Sequence, residues 1–67
     1  MSVAKVIEVI AESDQSWDDA AAQAVADASK SVKNIRSLYA QDMQAVIENN
    51  KITKYRLNAK ITFIVDD

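Results

Sequence analysis

The sequence predicts an α+β domain with the element order β-α-β-β, in which one helix packs across a three-stranded antiparallel sheet. Three observations support this: a β-branched segment near the N-terminus, an alanine-rich segment with helical spacing, and a final segment of alternating apolar and polar residues. The 67 residues suffice for one domain, 1–67.

The first element, residues 3–11, is rich in β-branched residues and too short for a typical helix, which favours a strand. Both alternate sets of side chains are mostly apolar. Either both faces are covered or the strand is central in the sheet, and each alternative implies burial against more than one helix.

The second element is a helix that begins after Ser16, the predicted N-cap, with Asp19 completing a capping box. Asp18 at its start, and Lys30 and Lys33 at its end, suit the helix dipole. The small side chains of its apolar stripe let the helix lie close to the sheet, and Trp17, the first residue of the stripe, fills a wider gap at one end. The apolar stripe comprises Trp17, Ala20, Ala21, Ala24, Val25, Ala28 and Val32.

A hairpin completes the fold. Residues 35–47 predict a long, bent strand, and residues 48–51 contain two asparagines that tolerate the positive φ of a tight turn in a chain without glycine. Residues 52–65 alternate cleanly and predict a third strand. Its helix-facing set is Tyr55, Leu57, Ala59, Ile61, Phe63 and Val65, and its opposite, polar set is Lys54, Arg56, Asn58, Lys60 and Thr62.

The small size of the chain limits its core. A domain of this length buries only about 60% of the surface that its unfolded chain exposes, and such folds usually need disulfides, metals or oligomerisation. The absence of Cys excludes disulfides, and the absence of Cys and His leaves only oxygen ligands, suited to calcium or magnesium. Self-association is therefore the expected source of stability.

The composition, 49% hydrophobic and 27% charged, is that of a folded protein. No apolar run is long enough for a bilayer and no secretory pattern opens the chain, so we expect no membrane contact and a cytoplasmic location. Charge is unevenly distributed: residues 1–29 carry −5, residues 30–60 carry +5, and Asp66 and Asp67 add −2. This polarity indicates either a solvated surface or complementary contacts between neighbouring subunits.

Catalysis is not expected, because His, Cys and a glycine-rich phosphate loop are absent. Asp18 and Asp19 point about 100° apart and serve as helix-start charges. Asp42 is either a solvated strand acid, a partner for Arg56, or an oxygen ligand for a divalent cation or for ligand hydroxyls, together with acids such as Glu12 or Asp14 from another chain. Nucleic-acid binding is not expected of an acidic chain without interleaved surface aromatics, and Trp17 and Phe63 fit a core role.

Four segments, Lys5–Glu8, Ser16–Ala20, Ser31–Arg36 and Lys60–Phe63, together with the element order, resemble the dodecin family over essentially the whole chain. The resemblance implies a β-α-β-β protomer whose sheet wraps its helix, assembled as a hollow homododecamer of twelve copies. Family members typically hold flavins, stacked on a tryptophan of the second strand and hydrogen-bonded by a glutamine of the third.

This chain has Ser37 and Arg56 at those two positions, so tight binding of a flavin such as riboflavin or FMN is not expected. The segments Ser16–Asp18 and Gln41–Met43 are similar to the branch described as calcium dodecins, which implies cation binding. By the same resemblance, Asp42 matches a family position associated with ligand hydroxyls or a bound cation. The resulting hypothesis is a dodecameric binding or storage protein for small ligands or divalent cations, with Ser37, Asp42 and Arg56 lining the site. The alternatives are a purely structural shell and residual flavin sequestration.

Overall fold

The computed structural model describes residues 3–65, so residues 1–2 and 66–67 of the predicted domain lie outside it. The described chain runs through β1 (Val3–Ser13), α1 (Trp17–Ala28), β2 (Ile35–Glu48) and β3 (Lys51–Val65). The strands form one antiparallel sheet in the order β1-β3-β2. The predicted β-α-β-β fold is therefore confirmed, with β3 at the centre and β1 and β2 at the edges.

Strand β1 is longer than predicted, and one of the two alternatives for its position is wrong. It continues to Ser13, and it lies at an edge of the sheet, so it is not a central strand. Its alternate set Val6 and Ile10 points away from the helix and is 54% and 68% exposed. Because the only helix within residues 3–65 lies on the other face, a single chain does not cover both faces of β1.

The start of α1 is fixed by a small polar cluster. Ser16 is the N-cap, and its Oγ accepts from the Asp19 amide at 2.9 Å, as predicted. The Asp19 carboxylate does not complete a capping box on Ser16; it accepts from the hydroxyl of buried Ser13 at 2.6 Å and from the amide of Gln23 at 2.5 Å. The cluster thus ties the end of β1 to the first turns of the helix.

The helix ends at Ala28, earlier than its apolar stripe suggests, so Val32 follows it. Lys30 and Lys33 lie beyond its last turn, and their predicted place at the end of the helix is wrong. The amide of Lys30 donates to the Asp27 carbonyl, a three-residue step that tightens the chain out of the α conformation. No helix within residues 3–65 is long and apolar enough to cross a membrane.

The core lies between α1 and β3. Trp17 packs against it, donates from Nε1 to the Gln44 carbonyl at 3.0 Å, and meets the Tyr55 ring edge-on at 4.8 Å between centroids. Trp17 therefore fastens the helix N-terminus to both strands of the hairpin, in agreement with its predicted core role. Phe63 is only half-buried. The buried apolar residues are Ala20, Ala24, Leu57, Ala59 and Ile61.

The hairpin confirms the predicted turn and bend. Asn49 and Asn50 have φ of 52° and 64°, the positive values that a two-residue turn requires. Strand β2 shifts register at three places, two of which leave Arg36 and Gln41 without a partner on β3. Such bulges bend a strand, and here they let the sheet wrap around the helix.

The molecule is elongated for its size. Its extents are 52 × 19 × 13 Å and its radius of gyration is 13.7 Å, whereas a compact domain of this length has about 11 Å. Its accessible surface is 4978 Å², compared with roughly 4,200 Å² for a typical monomer of this mass. The excess, roughly 800 Å², indicates surfaces that an isolated chain leaves uncovered.

The close approach of α1 to β3 can be tested by enlarging one alanine. Ala20→Leu should destabilise the protein by about 1–3 kcal/mol, because Ala20 is fully buried against Leu57 and Ala59 and added methylene groups overpack this filled space. Urea unfolding at fixed protein concentration measures the change. Ala26→Leu, on the exposed side of the same helix, should stay within about 0.5 kcal/mol of the unmodified protein. Equal effects of both variants would contradict the close approach.

Candidate functional site

We define the outer face as the side of the sheet that is turned away from α1. Residues paired across antiparallel strands share a face, so the outward residues of β3 identify their neighbours on β1 and β2. On β2 these neighbours are Ser37 opposite Thr62, Tyr39 opposite Lys60, Asp42 opposite Asn58, and Gln44 opposite Arg56. On β1 they are Val6, Glu8, Ile10 and Glu12.

The three predicted site residues all lie on the outer face, but they are not all close together. Asp42 and Arg56 occupy neighbouring rows, whereas Ser37 lies opposite Thr62. Thr62 is six residues along β3 from Arg56, a separation of about 20 Å at the rise of a strand. Within one chain, a small ligand at Asp42 and Arg56 therefore does not reach Ser37.

Arg56 is held by Glu12 of β1. Its Nη2 and Nε lie 2.6 and 2.7 Å from Oε2 of Glu12, and Lys54 Nζ lies 3.8 Å from the other carboxylate oxygen. Within residues 3–65 of one chain, Arg56 is therefore paired with Glu12 and not with Asp42. The register explains the choice, because Glu12 is directly opposite Arg56 while Asp42 is diagonal to it.

The environment of Glu12 lowers the pKa of its carboxyl group below the ordinary value of 4.5. The largest cause is the hydrogen bond from Arg56, with the charges of Arg56 and Lys54 adding to it against a desolvation effect that opposes it. Glu12 is thus ionised at neutral pH and already engaged by two positively charged side chains, Arg56 and Lys54. It is a poor candidate for binding a further cation without giving up these partners.

Asp42 presents the opposite situation. It is exposed, and its carboxylate makes no hydrogen bond or ion pair within residues 3–65. Asn58, which offers an amide oxygen, is its cross-strand partner. Within the same residues, no group of three His, Cys, Asp or Glu side chains is placed to hold a metal ion. The carboxylates of residues 3–65 in one chain therefore do not form a cation site unaided.

The outer face is less polar than the alternation of β3 predicts. Tyr39 is exposed in the row of Lys60, and Val6 and Ile10 lie on the same face. The sequence contains a signal for each of these residues. Tyr39 is two residues from Ser37 in β2 and therefore shares its face, and both alternate sets of β1 are apolar, so Val6 and Ile10 belong to the set that faces away from the helix. The face thus combines oxygen ligands with apolar side chains, which are typical of a contact between chains.

Comparison with known proteins identifies relatives over nearly the whole chain. The family model described as Dodecin matches residues 3–66. A protein named calcium dodecin, from Mycobacterium tuberculosis, is 48% identical over 65 residues, which cover 94% of this chain and 89% of the relative.

Solved structures agree with this result. A structure of calcium dodecin from the same organism, described as calcium chelating and as having a novel calcium-binding site, superposes with a TM-score of 0.82 and 35% identity, covering 96% of this chain and 91% of that one. A variant of the Thermus thermophilus dodecin gives 0.94 with 18% identity and full coverage of both chains. The Streptomyces davaonensis dodecin gives 0.92 with 17% identity, at 98% and 97% coverage. At such low identity, the last two show the shared fold alone.

The lowered pKa of Glu12 predicts a pH dependence. A depressed carboxyl pKa adds stability above the unfolded-state pKa, and this contribution is lost as pH falls through the folded-state pKa. Glu12→Gln should therefore be less stable than the unmodified protein at pH 7, and the gap should close below the ordinary value of 4.5. Thermal unfolding between pH 3 and 7 measures it, with Glu8→Gln as control. A gap that widens on acidification would disprove the assignment.

Proposed function

This chain belongs to the dodecin family, and we propose that it is a non-enzymatic protein that assembles as a homododecamer and binds or stores a divalent cation, calcium first. The observation that carries the proposal is the similarity to calcium dodecin over nearly the whole chain. Calcium suits the chemistry, because the sequence offers no Cys or His and the outer face offers carboxylate, amide and hydroxyl oxygens.

A calcium ion takes six to eight oxygen ligands. Residues 3–65 of one chain bring too few acids together to supply them, so we place the site at a junction between subunits. Asp42 is the residue that we assign to it, since its carboxylate is exposed and unpaired within residues 3–65 while Glu12 is engaged by Arg56 and Lys54. Asn58, beside Asp42, is positioned to add an amide oxygen.

The same contacts argue against flavin as the principal ligand. Ser37 has no aromatic face for stacking. Arg56 directs its Nε and Nη2 donors to Glu12 and carries no acceptor for a flavin edge. Ser37 and Arg56 also lie far apart in the protomer, which supports cation binding through Asp42 over small-molecule binding through all three residues.

The proposed assembly is supported by the surfaces of the single chain. The exposed area exceeds that of a typical monomer, and Val6 and Ile10 stand exposed on the outer face. Both edge strands, β1 and β2, also have one unpaired side. Contact with further copies would cover these groups and supply the stability that a 67-residue core lacks.

The cation site can be tested by calorimetry on metal-stripped protein. Calcium should release or absorb heat on binding to the unmodified protein, and Asp42→Asn should weaken the affinity at least tenfold because a charged ligand becomes neutral. Glu48→Gln, which removes the acid at the C-terminal end of the same strand, should bind like the unmodified protein. Absence of any heat with the unmodified protein at millimolar calcium would overturn the proposal.

The assembly can be tested by size-exclusion chromatography with light scattering. Twelve copies of 7.4 kDa have a mass of about 89 kDa. This mass should persist on dilution to micromolar protein, because the exposed apolar groups of each copy are covered in the assembly. A folded species of 7.4 kDa would contradict self-association.

A further inference from the structure

Two acids of β1 flank the proposed cation ligand Asp42 on the outer face. Asp42 lies opposite Asn58 of β3, and Glu8 and Glu12 lie in the rows on either side of this pair. The two acids carry the same charge on the same strand. Glu8 makes no ion pair within residues 3–65, whereas Glu12 engages Arg56 at 2.6 and 2.7 Å. They therefore differ in their partners: Glu12 holds a guanidinium group and Glu8 does not.

Arg56 is placed to reach Asp42 from the neighbouring row. The two residues are diagonal across β2 and β3, and diagonal neighbours, about 7–8 Å apart, are within reach of long side chains. The strands keep a regular register between these two rows. Lys60, on the other side of Asp42, is separated from it by the bulge at Gln41 and makes no ion pair within residues 3–65. A guanidinium group that Glu12 releases therefore has Asp42 as its diagonal carboxylate.

We propose that Glu12 is a positioning residue for the cation site: by holding Arg56, it keeps the carboxylate of Asp42 open to calcium. The inference rests on the cation site proposed above and names a residue that controls its affinity. An arginine paired with Asp42 would occupy the carboxylate oxygens that calcium needs. It would also place a positive charge beside a divalent cation. Glu12 prevents both effects without touching the ion.

The contacts of Glu12 suit this role. Arg56 directs both Nε and Nη2 to Oε2 of Glu12, and Lys54 lies 3.8 Å from the other carboxylate oxygen. The hydrogen bond from Arg56 lowers the pKa of Glu12 below its ordinary value of 4.5, so the carboxylate that holds the guanidinium group is ionised at neutral pH. Lys54 is four residues along β3 from Asn58, a separation of about 13 Å at the rise of a strand. It helps to fix Glu12 and does not replace Arg56 as a competitor for the cation.

Calorimetric titration of metal-stripped variants with calcium tests the inference. Glu12→Gln keeps the size of the side chain but loses the charge that holds Arg56, so it should weaken calcium binding by about fivefold more than Glu8→Gln does. Glu8→Gln is the matched control, because it removes the same charge from the same strand, also one row from Asp42. Circular dichroism and light scattering on each variant check that fold and mass are unchanged.

A second substitution separates the release of Arg56 from the loss of charge. Adding Arg56→Gln to Glu12→Gln restores the net charge and removes the competing guanidinium group, so the affinity should return to within about twofold of the unmodified protein. Adding Lys54→Gln to Glu12→Gln restores the same net charge but leaves Arg56 free, so the affinity should stay low. Arg56→Gln alone should bind calcium at least as tightly as the unmodified protein.

A crystal structure of metal-free Glu12→Gln gives a readout that does not depend on calcium. It should show the Arg56 guanidinium group within about 4 Å of the Asp42 carboxylate. Equal weakening by Glu12→Gln and Glu8→Gln, or equal rescue by the two second substitutions, would refute the role of Glu12 and leave the cation site standing. If Asp42→Asn binds calcium like the unmodified protein, or if the unmodified protein binds none, the site and this inference are both wrong.

Discussion

The close contact of α1 with β3, made through Ala20, is the interaction on which the rest of the structure depends. The small side chain of Ala20 brings the helix near the sheet, and this contact buries Leu57 and Ala59. A helix of 12 residues is only about 18 Å long, whereas the molecule extends over 52 Å. The core therefore stabilises the centre of the sheet. The turn end of the β2–β3 hairpin, the outer face and both edges of the sheet are not covered by the helix.

The distribution of charge follows the same geometry. The acidic first part and basic second part of the chain meet where β1 lies beside β3, and Glu12 there binds Arg56 and Lys54. Part of the charge polarity is thus neutralised within the chain, by exposed pairs that contribute little to stability. Their larger effect is on which side chains are open to a ligand: Glu12 and Arg56 engage each other, whereas Asp42 in the next row makes no ion pair within residues 3–65.

Local sequence signals predicted the elements well where one physical effect dominates. The clean alternation of residues 52–65 and the asparagine pair specify β3 and its turn, and both agree with the structure. The predicted extension of the helix to Val32 is wrong. Val32 continues the apolar period, but the helix ends at Ala28 and the chain has tightened at Lys30. Periodicity records which side chains can face the sheet, and hydrogen bonding decides where the helix stops.

Long-range features were less predictable. The position of β1 at an edge and the choice of Glu12 by Arg56 both depend on strand order and register, which no short segment encodes. The site residues were found by resemblance and by residue type. Their separation along β3 depends on the same register. The sequence alone therefore predicts one shared site, whereas the register places Ser37 far from Arg56 within one chain.

The incomplete core of one chain and the incomplete cation site that we propose for it have a common consequence. If the oxygen ligands missing around Asp42 come from a neighbouring copy, calcium binds only to the assembled state, and binding then stabilises assembly by mass action. In the absence of the ion, carboxylates brought to one junction repel each other and weaken the same contact. Apolar contacts would then determine whether the copies associate, and the cation would determine how firmly. A protein with this division of roles can release its ion and remain assembled.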